Sequence, residues 1–416
     1  MFCLKIDRIV IMSEIVTDKK LIDEALARSV EKIYPSREEL ERFLFSGHRL
    51  RIYLGVDATG AHLHFGHATN LLVLRRLQRL GHEIIFLIGD FTARIGDPSD
   101  KTAMRQPLTA EQVTENFKTF KKQAAKLIKF TGPNKALVRF NSKWLAKMNF
   151  EDVIKLASNF TVQQMIQRGM FQERLKADKP VGLHEFFYPL MQGYDSVAMD
   201  VDMEVGGNDQ TFNMLVGRDL LKTYKNRDKF VLATKLLVNP KNGKKLMNKS
   251  EGGLINLDDT ADDIFGKVMA IDDEAMFELA EHSTEMPLED IATIQGQVAA
   301  GTNPRDAKIK IAEAAVELVY GKAAAKRAKK IFLVMFSQHE KPAEAPIYKL
   351  KVESLKLIDL LVEVKLAPSK SEAWRLIEQG GVRINDQKKT DPIEKIKIEG
   401  EVLLQVGKRH FLRLIK

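Results

Sequence analysis

The apolar positions change period repeatedly along the chain. From residue 14 to 46 they fall at helical spacing, with Leu21, Ala25 and Leu26 followed by Leu40, Phe43 and Leu44, which predicts helix throughout that stretch. Arg51–Val56 reads as a short strand. A turn-rich stretch from Asp57 to Gly66 leads into a helix over about His67–Leu80, with Gly81 as its stop. The unbroken apolar run Glu83–Ile88 reads as a buried strand. Residues 109–130 read as helix and Ala136–Phe140 as another strand. Strands alternating with helices of this length predict an α/β fold with a parallel sheet.

From about residue 258 the strand pattern stops. Residues 258–338 read as helices, including an Ala/Lys-rich run around Gly321–Lys330. Glu340–Pro346 is a linker by composition. Residues 353–416 show a compact α+β pattern: two short helices, Gly380-Gly381, then short strands. The predicted organisation is therefore 1–257 with the sheet, 258–340 helical, 341–352 linking, and 353–416 as a small terminal domain.

Composition narrows the class. A chain of 416 residues with 44% hydrophobic and 29% charged residues is an ordinary globular one, so global disorder is excluded and a sizeable core is affordable. The single cysteine, Cys3, excludes an intramolecular disulfide and any Cys-pair metal site, and it fits a reducing compartment. No apolar run approaches the ~18 residues of a membrane span. Lys5, Asp7 and Arg8 interrupt the apolar residues at the N-terminus, which makes a poor signal peptide, and Met12 is an alternative start.

The net charge of +9 says more when it is divided. Residues 1–257 carry 40 basic and 29 acidic residues, a net +11. Residues 258–290 carry 1 and 12, a net −11. Residues 305–416 carry 24 and 15, a net +9. A basic C-terminal region on a body that sums to zero suggests a polyanion partner such as nucleic acid. Residue counts give no account of the acidic stretch.

Two segments suggest phosphate chemistry. His64-Phe65-Gly66-His67 lies between a strand and a helix start, where two histidines share a face and helix N–H groups point outward. Far downstream, Lys244-Lys245-Leu246-Met247-Asn248-Lys249-Ser250-Glu251-Gly252-Gly253 is a basic, glycine-ended loop suited to carrying a lysine to a phosphate. Taken alone, each is as readily a surface histidine pair or a basic turn.

Together they resemble the signature segments of class I aminoacyl-tRNA synthetases, and four further segments narrow the resemblance to tyrosyl-tRNA synthetases. These are Tyr53-Leu54-Gly55-Val56-Asp57-Ala58-Thr59; Gly89-Asp90-Phe91-Thr92 with Gly96-Asp97-Pro98-Ser99 and Lys101; Tyr188-Pro189-Leu190-Met191-Gln192-Gly193-Tyr194-Asp195; and Glu204-Val205-Gly206-Gly207-Asn208-Asp209-Gln210. Residues 366–386 look like the S-four-type RNA-binding domain that ends many bacterial members.

The resemblance implies a Rossmann-like catalytic domain followed by a helical anticodon-side domain and an S-four-like domain. It implies ATP-dependent activation of L-tyrosine to tyrosyl-adenylate, then transfer to tRNA(Tyr), by a cytoplasmic homodimer without membrane attachment. ATP would bring Mg2+, with no protein-held metal. Tyr53 and Asp195 match the residues that read the substrate phenol. Asp97, Tyr188 and Gln192 match those that hold its ammonium, and Gln210 lies near its carboxyl group. Gly55, Asp57, Gly66, Gly207, Asp209 and Ser250 match the ATP side. His64, His67 and Lys249, with Lys101 and Arg105, match the groups around the reacting phosphates. Catalysis would be positioning and electrostatics, with no protein nucleophile.

One departure stands out. The family loop usually reads Lys-Met-Ser-Lys-Ser. Aligned on Lys249-Ser250, Leu246 stands where the first lysine belongs, with Lys244 and Lys245 beside it. Two rivals follow. A tryptophanyl-tRNA synthetase shares both signature segments, but the Tyr53/Asp195 pair and the terminal module argue against it. A catalytically idle RNA-binding relative is disfavoured by the intact histidines and Lys249. Basic residues such as Lys370, Arg375, Arg383, Lys388 and Lys389 suit RNA backbone contact.

Overall fold

The computed structural model describes residues 14–98, 108–247, 253–337, 345–350, 354–385, 387–398, 400–407 and 410–415. The predicted site residues Lys101, Arg105, Lys249 and Ser250, and half of the predicted linker, lie outside them. The chain forms two compact units, Met1–Lys326 and Arg327–Lys416.

The first unit is built on a sheet of six strands: β1 (Val30–Tyr34), β2 (Arg51–Asp57), β3 (Glu83–Gly89), β4 (Leu137–Phe140), β5 (Met203–Gly207) and β6 (Phe230–Thr234). Their order is β1-β6-β5-β2-β3-β4. All neighbouring pairs run parallel except β1 with β6. The predicted parallel α/β sheet is thus present. Strand order reverses between β2 and β5, because the chain builds outward from β2 to β4 and then returns to the other side. A crevice opens at the carboxyl ends of the strands at such a reversal, and helices on both faces leave it accessible.

Continuous helix over 14–46 is corrected. Helices Lys19–Ala27 and Arg37–Phe45 flank β1. Ser29 takes a positive φ of 65° and ends the first turn of the path, and Val30, Ile33 and Tyr34 suit a strand. A five-residue strand between two amphipathic helices leaves too short a period-two signal to detach from its flanks. Asp18 and Ser36 cap the two helices by accepting from Leu21 and Glu39 N–H groups. The expected helix over 109–130 is broken at Lys118–Thr119 into Ala110–Phe117 and Phe120–Ala124.

The helices after residue 258 pack in the same unit as the sheet as far as Lys326. They are Ala261–Met269, Met276–Ser283, Leu288–Ala299, Pro304–Tyr320 and Lys322–Ser337. Their attachment explains the acidic stretch 258–290. Asp258 pairs with His62 at 2.8 Å, Glu285 with Arg79 at 3.1 Å, and Asp273 with Lys308 at 2.5 Å. Asp272 accepts from Asn239 at 2.8 Å. Asp262, Asp263, Glu289 and Asp290 occupy first helical turns, where the helix dipole favours a negative charge. Part of the acid cluster faces the basic body, and part caps its own helices. Ser283 fixes this layer to the helix Phe65–Arg79 through bonds to Thr69 at 3.0 Å and the Phe65 carbonyl at 2.9 Å.

The second unit has its own core, around Leu357, Leu360, Ile377, Val382, Leu404 and Leu414. Its strands are β7 (Ile347–Lys349), β8 (Ser354–Lys356), β9 (Val382–Ile384), β10 (Gln387–Lys389), β11 (Lys395–Lys397), β12 (Val402–Val406) and β13 (His410–Ile415), with helices Leu357–Glu363 and Lys370–Glu378. Five strands form the sheet β10-β9-β12-β13-β7, and β11 pairs with β8. The compact α+β expectation holds. Ile347–Lys349, within the segment 341–352 expected to link, is the sheet's edge strand. Gly380 turns the chain after its helix at φ +69°, and a Cβ there would meet the Lys388 side chain at 2.0 Å.

Candidate active site

A cavity of 370 Å³ lies at the carboxyl ends of β2, β3, β5 and β6. Its walls include Tyr53, Gly55, Asp57, His64, Gly66, His67, Asp97, Tyr188, Gln192, Asp195, Gly207, Asp209 and Gln210, so one site gathers every predicted pocket residue that the structure describes. These come from five separate segments of sequence. The strand-order reversal is what joins them.

At the deep end, Tyr53 and Asp195 are both buried. Trp144 Nε1–H and Asn141 Nδ2–H donate to the two oxygens of Asp195 at 2.7 and 3.3 Å. Burial pushes the Asp195 carboxyl well above the usual carboxylate range, and these two donors oppose that shift. Burial, and then the nearby charges of Glu204 and Asp195, raises the Tyr53 phenol, so it stays a neutral hydroxyl. Tyr53 bonds Ser196 Oγ at 3.0 Å.

The middle of the cavity is a chain of amides whose direction is fixed by carboxylates, which only accept. Gln192 Nε2–H donates to Glu204 at 3.1 Å, and Gln210 Nε2–H donates to Asp97 at 2.6 Å. Asn213 Nδ2–H donates to both glutamine oxygens, at 2.9 and 3.1 Å. Tyr188 gives its proton to Asp57 at 2.9 Å, and Thr92 donates to the other Asp57 oxygen at 2.7 Å. Tyr188 is expected with Asp97 and Gln192 at the ammonium; its hydroxyl donates to Asp57. Gly89 makes this arrangement possible, since a Cβ there would lie 2.1 Å from Asp57 Oδ1.

The outer end holds the histidines. His64 caps the helix Phe65–Arg79, its Nδ1 accepting from the Gly66 N–H at 3.2 Å. Its own N–H donates to His67 Nδ1 at 3.1 Å, and the ring centroids are 4.0 Å apart. Opposite, Lys245 pairs with Asp209 at 2.8 Å. Burial, and then Asp97, pushes the Asp209 carboxyl up to about 6. Lys245, one of the two lysines beside Leu246, therefore does reach the cavity.

Comparison with known proteins identifies the family. Residues 46–337 match the model of tRNA synthetases class I (W and Y), and residues 338–413 match that of the tyrosine–tRNA ligase SYY-like C-terminal domain. The tyrosine–tRNA ligase of Moorella thermoacetica is 40% identical over 393 residues, which is 94% of this chain and 94% of the relative. That of Haemophilus ducreyi is 43% identical over 389 residues, 94% of this chain and 96% of the relative. The chain belongs to the tyrosine–tRNA ligase family. Its fold is shared with the C-terminally truncated mitochondrial tyrosyl-tRNA synthetase of Aspergillus nidulans (TM-score 0.65, 22% identity, 77% of this chain and 95% of that one). It is also shared with the tyrosyl-tRNA synthetase of Archaeoglobus fulgidus, solved with L-tyrosine (TM-score 0.57, 22% identity, 75% and 100%).

Sequence reasoning missed Asn141, Trp144, Ser196, Asn213 and Lys229 as site-supporting groups, and gave Glu204 no role although it opens a quoted segment. The first five sit in no recognisable spacing. Asn141 follows the end of β4, and a polar residue just past the carboxyl end of a parallel strand was the one local cue.

Proposed function

We propose that this chain is a tyrosine–tRNA ligase that joins L-tyrosine to ATP as tyrosyl-adenylate and then transfers tyrosine to the 3′ end of tRNA(Tyr). The observation that carries the assignment of residues is a single cavity with a buried Tyr53/Asp195 pair at one end and the His64/His67 pair at the other. The phenol sits between Tyr53 and Asp195. The ammonium is held by Asp97, Gln192 Oε1 and the Tyr188 oxygen, whose lone pairs face outward because its proton goes to Asp57. Gln210 lies by the carboxyl group.

ATP, as its Mg2+ complex, occupies the outer end. Gly55, Asp57, Gly66, Gly207 and Asp209 line its nucleoside side. The tyrosine carboxylate attacks the α-phosphate in line, and pyrophosphate leaves. Charge gathers on the phosphate oxygens as this happens, so fixed donors there lower the barrier. His64 and His67 supply them, with Lys249, Ser250, Lys101 and Arg105 assigned to the same end. Lys245 takes the position of the missing loop lysine.

The second unit, with Lys370, Arg375, Arg383, Lys388 and Lys389, is assigned to tRNA, as is the basic entry Arg305–Lys310 after the Asn303-capped helix start. The protein acts in the cytoplasm as a homodimer; no described helix is long and apolar enough to cross a membrane. Support for the dimer comes from Phe150, Ile154, Val162 and Leu183, which are 80%, 54%, 69% and 75% exposed despite being large and apolar.

ATP–pyrophosphate exchange tests the reading. Exchange should require tyrosine. Exchange with tryptophan alone selects the tryptophan-specific relative, and no exchange with either selects the idle one.

A further inference from the structure

Lys229 lies immediately before β6 and belongs to no signature segment, yet its side chain is fully buried. Its ammonium donates to Ser196 Oγ at 2.6 Å, pairs with Glu204, and lies 5.5 Å from the centroid of the Tyr53 ring. Space for it comes from two glycines where helices Phe187–Met199 and Thr211–Lys225 cross. A Cβ on Gly217 would lie 2.7 Å from Lys229 Nζ and 2.8 Å from Ser196 Oγ, and one on Gly193 would lie 3.0 Å from the Gly217 nitrogen. Burial lowers the Lys229 pKa and Glu204 opposes the change. A buried cation is costly, and its retention beside the phenol end of the cavity asks for a purpose.

The purpose lies in proton direction. An ammonium only donates. Ser196 Oγ therefore accepts from Lys229, and its own proton goes to one of two oxygens. Tyr53 is 3.0 Å away, whereas Glu204 Oε2 is 3.5 Å away and already engaged by Lys229. At the far side, the Asp195 oxygens accept from Trp144 and Asn141. A phenol placed between Tyr53 and Asp195 gives its proton to Asp195 and needs a donor at its oxygen. Tyr53 supplies that donor when its own oxygen accepts from Ser196 and its proton turns to the substrate from Glu204, which also lies within its reach.

We propose that Lys229, Ser196 and Tyr53 form a one-way chain of hydrogen-bond donors ending on the substrate's phenolic oxygen, so that the site demands a hydroxyl that both accepts and donates. This rests on the assignment of Tyr53 and Asp195 to the phenol. Lys229 and Ser196 are positioning residues, acting through Tyr53. Phenylalanine leaves the Tyr53 donor and the Asp195 acceptor unpaired together, and an unpaired buried polar group costs more than a made bond gains.

The test is the ratio of kcat/KM for tyrosine over phenylalanine in pyrophosphate exchange. Ser196→Ala should lower the tyrosine value about three- to tenfold and leave phenylalanine unchanged. Introduced into Tyr53→Phe, it should change neither, because the chain is already cut downstream. The paired change Lys229→Met with Glu204→Gln, which leaves no lone buried charge, should reproduce the Ser196→Ala ratio. Equal losses for both amino acids, or a persisting effect in the Tyr53→Phe background, overturns the chain. If Tyr53→Phe itself leaves the ratio intact, the phenol assignment fails. If Tyr53→Phe lowers it and Ser196→Ala does not, only the chain fails.

Discussion

The backbone N–H of His64 donates to Nδ1 of His67 at 3.1 Å, while the N–H of Gly66 donates to Nδ1 of His64 at 3.2 Å. A backbone N–H cannot accept, so both Nδ1 atoms are bare in the neutral rings and each Nε2 carries the proton. The helix cap thus sets the tautomer of the pair assigned to the phosphates. His64→Ala and His67→Ala should each slow tyrosyl-adenylate formation by about 10²-fold in single-turnover assays, with little change in tyrosine affinity. His67→Ala should also cost about 1 kcal/mol in urea unfolding, because an N-terminal orphan N–H loses its partner.

Asp209 gives a pH signature. Its carboxyl is pushed up from 3.8 to about 6, by burial first and Asp97 second. An ionised carboxylate accepts ribose hydroxyls and a protonated one does so less well. KM for ATP should therefore fall as pH rises through about 6, and Asp209→Asn should flatten the profile there. The stability sign is opposite. The folded value exceeds the unfolded one, so this group's stabilising contribution is complete at low pH and is lost as pH rises from 3.8 through about 6. Melting curves against pH for the two proteins check that.

Trp144→Phe removes the 2.7 Å donor to Asp195 and keeps an aromatic ring in place. The opposition to burial weakens, and the carboxyl moves further toward its neutral form. KM for tyrosine should rise about tenfold, with KM for ATP unchanged. Steady-state exchange kinetics in each substrate measure both.

Lys249→Ala should slow adenylate formation far more than it weakens tyrosine binding, because its assigned contact is with the leaving pyrophosphate. Lys245→Ala should mainly raise KM for ATP, since its contact is Asp209 at 2.8 Å. Stopped-flow adenylate formation separates the two; an unchanged exchange rate in Lys249→Ala removes that residue from the mechanism.

Phe150→Asp with Val162→Asp should give a monomer by analytical ultracentrifugation. Both side chains are more than two-thirds exposed, at 80% and 69%, so the chain should still fold.

Much of the fold was legible along the chain. The uninterrupted run Glu83–Ile88 announced a strand buried on both faces, and Gly81 the end of the helix before it. The short strand β1 was not, because Ile33 and Tyr34 fit the period of their helical neighbours. The acidic stretch 258–290 stayed without an account because charge counts carry no partners. Its explanation is His62, Arg79, Asn239 and Lys308, up to 206 positions away in the case of Arg79 and Glu285.

The sequence, through its family resemblance, pointed to residues that prove to line one cavity. His64-Phe65-Gly66-His67, Tyr53, Asp195 and the Gly206–Gln210 loop stand in recognisable local patterns, since a cap, a close approach or a phosphate-facing turn needs fixed residues at fixed spacing. Only the tertiary structure decided how the groups are oriented. Lys229 reaches Ser196 because Gly193 and Gly217 let two helices touch, and Tyr188 turns to Asp57 because Gly89 leaves room. Hydrogen-bond direction is a property of who faces whom across the core. Residues as distant in sequence as Tyr53, Ser196 and Lys229 acquire it only when the sheet brings them together.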